Sequence, residues 1–196
     1  SMKSVLITGA SGFVGRNLLL KLIDLNKYEI TVILRTKNTE LPKAINQFII
    51  KDLLNFQDYC QNLKSPNYII HLAGLAHKKN VKKSDFDAIN VDLTTKFFKW
   101  GIEKKIEKFI YLSSIGVNGQ VSIKPFNEKD IPIPKEYYAL SKLSAEKKII
   151  KNTNQNHTSK YVIIRSPLIY GLNAPGNFKL LQKWVRSPLP LPFGMV

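Results

Sequence analysis

Tyr138 and Lys142 form the clearest chemical pair in the sequence, because a tyrosine and a lysine stand four residues apart. On a helix, side chains at this spacing lie on one face, about one turn apart. A phenol is a poor base near neutral pH because its ordinary pKa is roughly 10, but a neighbouring ammonium favours the phenolate and lowers that pKa. The pair therefore predicts a proton-transfer site. A half-buried tyrosine covered by a lysine stem is the purely structural alternative.

A glycine-rich turn follows the first apolar run, residues 5–7, with Gly9, Gly12 and Gly15 at three-residue spacing. Glycines let the chain turn sharply and let backbone amides approach a pyrophosphate. The amino end of the helix that begins near Phe13 adds partial positive charge. The turn therefore predicts a dinucleotide phosphate site, and an ordinary strand-to-helix turn is the alternative. The residues expected to contact the cofactor here are Gly9, Ser11, Gly12, Phe13, Val14 and Gly15.

Polar residues also follow three other apolar runs. Ser113 or Ser114 could hydrogen-bond a reacting oxygen at the carboxyl end of a strand, or simply cap the loop. Arg35 could face the 2′-phosphate of NADP, or be a solvent-facing loop cation. Asp52, followed by Leu53, could receive the adenine amine, and a loop-capping role is the alternative.

The elements that must position these residues alternate between apolar runs and helix-period segments. This alternation predicts an α/β protein: a doubly wound Rossmann fold with a parallel sheet. Strands are predicted at residues 5–7, 30–34, 48–50, 68–72, 109–112 and 161–164. A first helix is predicted at residues 13–26, with a buried stripe of Val14, Leu18, Leu22 and Leu25. A second is predicted to begin at Ser84, with Asp87 as its capping-box partner, and to stop at Gly101. A third is predicted at residues 138–151.

Composition excludes several other classes of protein. The 196 residues carry a net charge of +16, but only four of the 30 basic residues are Arg, so solvated lysine-rich helix faces are expected rather than a specific nucleic-acid site. The single cysteine, Cys60, excludes a disulfide framework and a Cys-cluster metal site. No apolar run approaches the roughly 20 residues needed to span a bilayer. We expect a cytoplasmic protein with no bound metal.

These motifs, in this order, resemble the extended branch of the short-chain dehydrogenase/reductase superfamily, the NAD(P)-dependent nucleotide-sugar epimerases and dehydratases. The resemblance is closest to UDP-glucose or UDP-N-acetylglucosamine 4-epimerase-like proteins of surface-polysaccharide pathways. Further segments carry it: His71-Leu72-Ala73-Gly74 resembles the fourth-strand motif, Asn90 the helix asparagine, residues 165–171 the sixth-strand motif, and Asn177-Phe178 a nucleotide-diphosphate contact.

The resemblance implies a mechanism in which Tyr138 takes a proton from the sugar 4-hydroxyl while hydride passes to the nicotinamide of NAD or NADP. Lys142 would hold the nicotinamide ribose and Ser114 the reacting oxygen. The implied catalytic residues are Ser114, Tyr138, Lys142 and Asn90; further cofactor contacts are Arg35, Asp52, Leu53, Leu72, Ala73, Gly74, Lys142 and Pro167; and substrate contacts are Ser114, Asn177 and Phe178.

The implied domains are an NAD(P)-binding Rossmann domain over residues 2–171 and, over residues 172–196, the start of a substrate-binding lobe that is otherwise missing. The implied small-molecule partner is a UDP-sugar. A nucleotide-sugar reductase or dehydrogenase, and a dinucleotide-binding module without catalysis, are the alternatives. The apolar stripes of the two long helices could pair two subunits as a homodimer or serve only as core.

Overall fold

The computed structural model describes residues 2–76, 81–153, 160–167 and 169. The strands in these residues are β1 (Lys3–Thr8), β2 (Tyr28–Leu34), β3 (Asn46–Ile49), β4 (Tyr68–His71), β5 (Lys108–Ser114) and β6 (Lys160–Ser166). All neighbouring pairs are parallel, and the strand order is β3-β2-β1-β4-β5-β6. The predicted parallel sheet is therefore confirmed.

Helices lie in every connection between consecutive strands except that from β2 to β3, as is usual for the crossover connections of a parallel sheet. They are α1 (Phe13–Leu25), α2 (Phe56–Tyr59), α3 (Lys83–Phe86), α4 (Thr94–Glu103) and α5 (Tyr137–Thr153). A π-helical segment, Asp87–Leu93, joins α3 to α4. Short 3₁₀ turns occupy Leu53–Asn55, Cys60–Asn62 and Ile115–Val117.

Two hydrophobic clusters, one on each face of the sheet, hold these layers together. On one face Val5 and Ile7 of β1 pack with Leu19 of α1. On the other face Leu6 of β1 packs in a cluster that includes Phe97 of α4 and Ile149 of α5. Successive side chains of a strand point to opposite faces, so a strand covered on both faces reads as a continuous apolar run. The doubly wound fold follows from this arrangement.

The predicted buried stripe of α1 is wrong at its end. Leu25 is exposed, whereas Gly15, Leu19 and Leu22 are the buried residues of α1. The close packing of Gly15 on the carbonyl of Gly9 turns this side of the helix towards the sheet. Leu25 then lies off the buried face, beside Asn26, which ends the helix in a left-handed conformation with φ 47°.

The capping box predicted at Ser84 and Asp87 is also wrong. The helix begins at Lys83, and the carboxylate of Asp85 accepts a hydrogen bond of 3.0 Å from the backbone N–H of Lys82. Asp87 is paired instead with the ammonium of Lys83 at 2.6 Å. The carboxylate of Asp85, and not that of Asp87, reaches the backbone N–H of Lys82 and therefore caps the helix.

Gly101 does not stop its helix, contrary to the prediction. It is buried within α4, where an added Cβ would lie 2.6 Å from Cδ1 of Ile106 and 3.0 Å from Cδ1 of Ile69. The helix continues to Glu103, and the chain turns at Lys105, which has a φ of 55°. Gly101 is therefore a close-packing position, and a lysine takes the left-handed turn.

The predicted lobe over residues 172–196, including Asn177 and Phe178, lies outside the described residues. Within the part of the chain that the structure describes, no helix combines the length and apolar character needed to cross a bilayer. The predicted pairing of subunits stays a prediction.

Candidate active site

A cavity of about 530 Å³ opens at the carboxyl ends of the strands, between the glycine turn and the ends of β5 and β6. Open parallel sheets bind ligands at this edge, beside the point where the strand order reverses, which here is between β1 and β4. Its lining residues are Gly9, Gly12, Phe13, Val14, Gly15, Leu72, Leu112, Ser114, Ile115, Gly116, Ser166, Pro167 and Ile169. The glycine turn, Leu72, Ser114 and Pro167 are thus brought together as predicted.

Two of the three glycines are required by the fold itself. Gly9 has a φ of +72°, and a Cβ there would lie 2.6 Å from the backbone nitrogen of Ala73. A Cβ on Gly15 would lie 2.2 Å from the carbonyl oxygen of Gly9. Gly12 differs, because a Cβ there would meet only that same oxygen, at 3.3 Å. The open space beside Gly12 belongs to the cavity.

A buried histidine ties the glycine turn to its neighbouring loop. One ring nitrogen of His71, Nδ1, lies 2.8 Å from Oγ1 of Thr8, and the other, Nε2, lies 3.0 Å from Oγ1 of Thr94. Thr8 also accepts a hydrogen bond of 3.2 Å from the backbone N–H of Ala73. Burial, with the nearby charge of Lys142, lowers the pKa of His71 to about 3, so the ring is neutral. The network therefore fixes the ends of β1 and β4 at the cavity.

The predicted pair on α5 lies directly beside the end of β5. The ammonium of Lys142 is buried, donates a hydrogen bond of 3.0 Å to the carbonyl of Leu112, and lies 5.8 Å from the ring centroid of Tyr138. The hydroxyls of Ser114 and Tyr138 are within hydrogen-bonding reach of each other. Ser114 also accepts from the N–H of Gly116, so it both caps the turn and contacts the tyrosine.

The charge of Lys142 was expected to lower the pKa of Tyr138, but burial has the largest effect on that pKa. Burial raises the pKa of Tyr138 above its usual value, and the hydrogen bond with Ser114 lowers it by less. Burial also lowers the pKa of Lys142 to about 8, against which the charge of Glu146 acts. Removal of a group from water disfavours its charged form, and this exceeds the effect of the Ser114 hydrogen bond on Tyr138 and of the Glu146 charge on Lys142.

Asn90, inside the π-helical segment, connects the loop after β4 to α5. Its side chain is fully buried; Oδ1 accepts from the N–H of Leu75 at 2.7 Å, and Nδ2 donates to Oγ of Ser141 at 3.0 Å. Ser141 in turn donates to the carbonyl of Tyr138 at 2.7 Å. Gly74 lies against both Asn90 and Lys142, since its added Cβ would be 3.2 Å and 3.1 Å from their polar atoms. Asn90 thus holds the helix turn that carries Tyr138. π-helical segments are rare, and those that occur frequently lie at functional sites.

Seven predicted cofactor residues do not line this cavity: Ser11, Arg35, Asp52, Leu53, Ala73, Gly74 and Lys142. Arg35 and Ser11 are exposed. Asp52 accepts a hydrogen bond of 3.0 Å from the N–H of Leu54 and so caps the turn after it, while Leu53 packs against the core. Ala73, Gly74, Asn90, Tyr138 and Lys142 lie beside the cavity through the contacts described above.

Sequence reasoning missed several residues of the site. Ile115, Gly116, Ser166 and Ile169 line the cavity because two loops meet there, which no single segment reveals. Glu146 was missed although a signal existed, since it follows Lys142 by four residues on the same helical face.

A larger cavity, of about 610 Å³, lies at the opposite edge of the sheet. It is lined by residues at the amino ends of strands, such as Ser4, Glu29 and Asn46. Its lining includes neither the glycine turn nor Tyr138 nor Lys142, so the smaller cavity is the candidate site.

Comparison with known proteins agrees with this geometry. A sequence model of the NAD dependent epimerase/dehydratase family matches residues 5–187. The chain belongs to this family. Among relatives, the UDP-glucose 4-epimerase of Vibrio cholerae is 31% identical over 99% of this chain and 60% of its own length.

Solved structures of the same family share the fold. The UDP-glucuronic acid 4-epimerase of Bacillus cereus in complex with NAD aligns with a TM-score of 0.80 and 24% identity, over 93% of this chain and 62% of that one. Its complex with UDP-glucuronic acid and NAD aligns with a TM-score of 0.72 and 26% identity, over 83% and 55% of the two chains. This family member therefore spans about 55–62% of the length of the relatives named here.

Proposed function

We propose that this chain is the dinucleotide-binding part of a nucleotide-sugar 4-epimerase that uses NAD or NADP and acts on UDP-hexoses. The observation that carries the proposal is the buried ammonium of Lys142, 5.8 Å from the ring of Tyr138 and bonded to β5, whose Ser114 lines a cavity bordered by the glycine turn. The identity with the Vibrio cholerae UDP-glucose 4-epimerase supports the same reaction class.

The cavity suits a dinucleotide in shape and in charge. The turn at Gly12 has no side chain between the cavity and the amino end of α1, which is where backbone N–H groups bind phosphates. Leu72 and Pro167 supply apolar surface for a planar ring, and Lys142 supplies an ammonium for a ribose hydroxyl. When bound, a nicotinamide dinucleotide supplies a reversible acceptor and donor of hydride.

In this proposal Tyr138 moves the proton of the reacting sugar hydroxyl, and Ser114 holds the oxygen from which that proton leaves. Tyr138 rests in its protonated form because burial raises its pKa. A positive charge beside the phenol favours its loss of the proton, and Lys142, with a pKa of about 8, is mostly charged at pH 7. Tyr138 must release its own proton to solvent before it can take the proton of the sugar hydroxyl, and the charge of Lys142 favours that release.

The preference between the two dinucleotides is a further part of the proposal. Arg35 follows the end of β2 directly and is exposed, so its guanidinium is free to approach a 2′-phosphate. This favours NADP over NAD.

The test is an assay of a protein that carries the whole native reading frame, incubated with NAD or NADP and with UDP-glucose, UDP-galactose or their N-acetyl forms. Chromatographic separation of the UDP-sugars should show interconversion without net change in the dinucleotide. Net oxidation or reduction of the dinucleotide would identify a reductase or dehydrogenase instead. Dinucleotide binding with no turnover of any of these sugars would identify a binding module.

Tyr138→Phe is the decisive variant in that assay, because it removes only the hydroxyl. We expect kcat to fall by about 10²- to 10⁴-fold while dinucleotide affinity stays the same. Tyr137→Phe is the matched control, since the neighbouring Tyr137 is exposed. Equal activity of the Tyr138→Phe and Tyr137→Phe variants would remove Tyr138 from the mechanism.

A further inference from the structure

Helix α5 carries a third polar side chain on the face that bears Tyr138 and Lys142. Glu146 follows Lys142 by four residues and is only 1% exposed. A carboxylate is seldom buried unless other groups compensate its charge. The partners of Glu146 therefore indicate why it lies there.

Two neighbouring strands supply those partners. Ser113 of β5 donates its hydroxyl hydrogen to Oε1 of Glu146. Arg165 of β6 donates from Nη2 to Oε2 at 2.7 Å and from Nε to Oε1 at 3.1 Å. Ser113 and Arg165 are register partners in the parallel sheet, so both side chains point to the face that α5 covers. One carboxylate thus ties the helix to β5 and β6 together.

The same short piece of β5 also meets the two site residues of the helix. Leu112 accepts the hydrogen bond of Lys142, Ser113 donates to Glu146, and Ser114 contacts Tyr138. Three consecutive strand residues therefore contact three helix residues spaced one turn apart. A shift of α5 along β5 would break all three contacts at once.

We infer that Glu146 is the positioning residue of this site, which holds α5 on β5 and β6 so that Tyr138 and Lys142 stay beside Ser114. The inference deepens the proposed function and rests on it for the roles of Tyr138 and Lys142. Glu146 itself does not line the dinucleotide cavity.

The carboxylate also acts on the charge of Lys142. Burial lowers the pKa of Lys142, and the negative charge of Glu146 opposes that shift. The other titratable groups that face the ammonium are the phenols of Tyr111 on β5, with its ring centroid 4.9 Å away, and of Tyr138 on α5, and the neutral imidazole of His71 on β4. Glu146 is the one carboxylate among these four groups. Removal of its negative charge should therefore lower the pKa of Lys142 further.

Glu146→Gln tests the inference, because it keeps the shape of the side chain and removes its charge. The first measurement follows the Cε resonance of Lys142 by NMR in ¹³C-lysine-labelled protein from pH 6 to pH 10. The second measures the affinity for NADH and for NADPH by fluorescence titration at pH 7 and pH 8. We expect a lower titration midpoint for Lys142 and about tenfold weaker dinucleotide binding at pH 8.

Asp92→Asn is the matched control, because it removes the charge of another carboxylate that pairs with a residue of α5. Asp92 pairs with Lys148 of α5 at 3.2 Å, but both side chains are largely exposed. Loss of an exposed ion pair changes stability little. The titration midpoint of Lys142 and the dinucleotide affinity should therefore equal those of the wild-type chain. If the Glu146→Gln variant does not fold, the double variant Glu146→Gln/Arg165→Met takes its place in the same measurements. It removes the charges of both partners of the ion pair.

The two measurements separate the inference from the proposed function. Failure of the wild-type chain to bind either NADH or NADPH would overturn the proposed function, whereas the titration midpoint of Lys142 would still test Glu146. A variant that melts at a lower temperature but keeps the Lys142 midpoint and the dinucleotide affinity would show that Glu146 only stabilises the fold. That result would overturn the inference.

Discussion

Replacement of Gly12 by valine should weaken dinucleotide binding by about ten- to hundred-fold while leaving the fold intact. The backbone of Gly12 has φ −72° and ψ 171°, a conformation that any residue adopts. An added Cβ meets only the carbonyl oxygen of Gly9, at 3.3 Å, so the neighbour must yield by a few tenths of an ångström. Valine has fewer backbone conformations than glycine in the unfolded chain, and this stabilises the folded variant by about 0.4–1 kcal/mol. The net change in the free energy of unfolding should therefore be within about 1 kcal/mol.

The effect on binding is much larger, because Gly12 borders the cavity and precedes the first turn of α1. A branched side chain there would keep a pyrophosphate away from the backbone N–H groups. Loss of one charge-assisted hydrogen bond costs about 1.5–3 kcal/mol, which corresponds to roughly ten- to hundred-fold in affinity.

Gly15→Ala is the matched comparison. Its Cβ would lie 2.2 Å from the Gly9 carbonyl oxygen and 2.7 Å from Cα of Ala10, and backbone atoms cannot move aside cheaply. Overpacking of this kind costs about 1–3 kcal/mol, which lowers the melting temperature by about 2–12 °C in a protein of this size.

Calorimetric titration with NAD and with NADP, together with thermal melts followed by circular dichroism, measures both effects. Gly12→Val should lose affinity and keep its melting temperature, whereas Gly15→Ala should lose stability. Unchanged affinity in Gly12→Val would refute the phosphate site. A melt lowered as far as that of Gly15→Ala would refute the steric argument.

Three further changes have expected outcomes. Arg35→Asp should weaken NADP binding about ten- to hundred-fold relative to NAD, measured by calorimetry; an unchanged ratio would mean that Arg35 is only a loop cation. Lys105 turns the chain with φ 55°, so Lys105→Gly should raise the unfolding free energy by about 0.5–1 kcal/mol in urea titrations, and Lys104→Gly, at φ −79°, should not. His71 is neutral in the folded chain with a pKa of about 3, so the unfolded chain takes up the extra proton as the pH falls below about 6.5. Stability should then fall by up to about 1.4 kcal/mol per pH unit between pH 6 and pH 4, and a His71→Gln variant with an equally steep fall would contradict this assignment.

Much of the fold could be predicted from local sequence. The strands are short apolar runs because both faces of the sheet are covered, and the glycine turn lies between β1 and α1 as its spacing indicates. Tyr138 and Lys142 lie on one helix face because four residues make about one turn. Local patterns failed where two nearby residues could play the same part. Asp85 and Asp87 could both cap the helix that precedes Asn90, and in the structure Asp85 does so.

The sequence by itself therefore determined the order of the elements, the place of the glycine turn and the candidate Tyr/Lys pair, because each depends on residues that are close in the chain. The tertiary structure decided that Ser113 contacts Glu146 and Ser114 contacts Tyr138, and that Arg165 meets Glu146 across 19 residues. It also decided that burial raises the pKa of Tyr138 despite the nearby Lys142. Desolvation and long-range contacts depend on how separate strands and helices pack, and no single segment of the sequence carries that information.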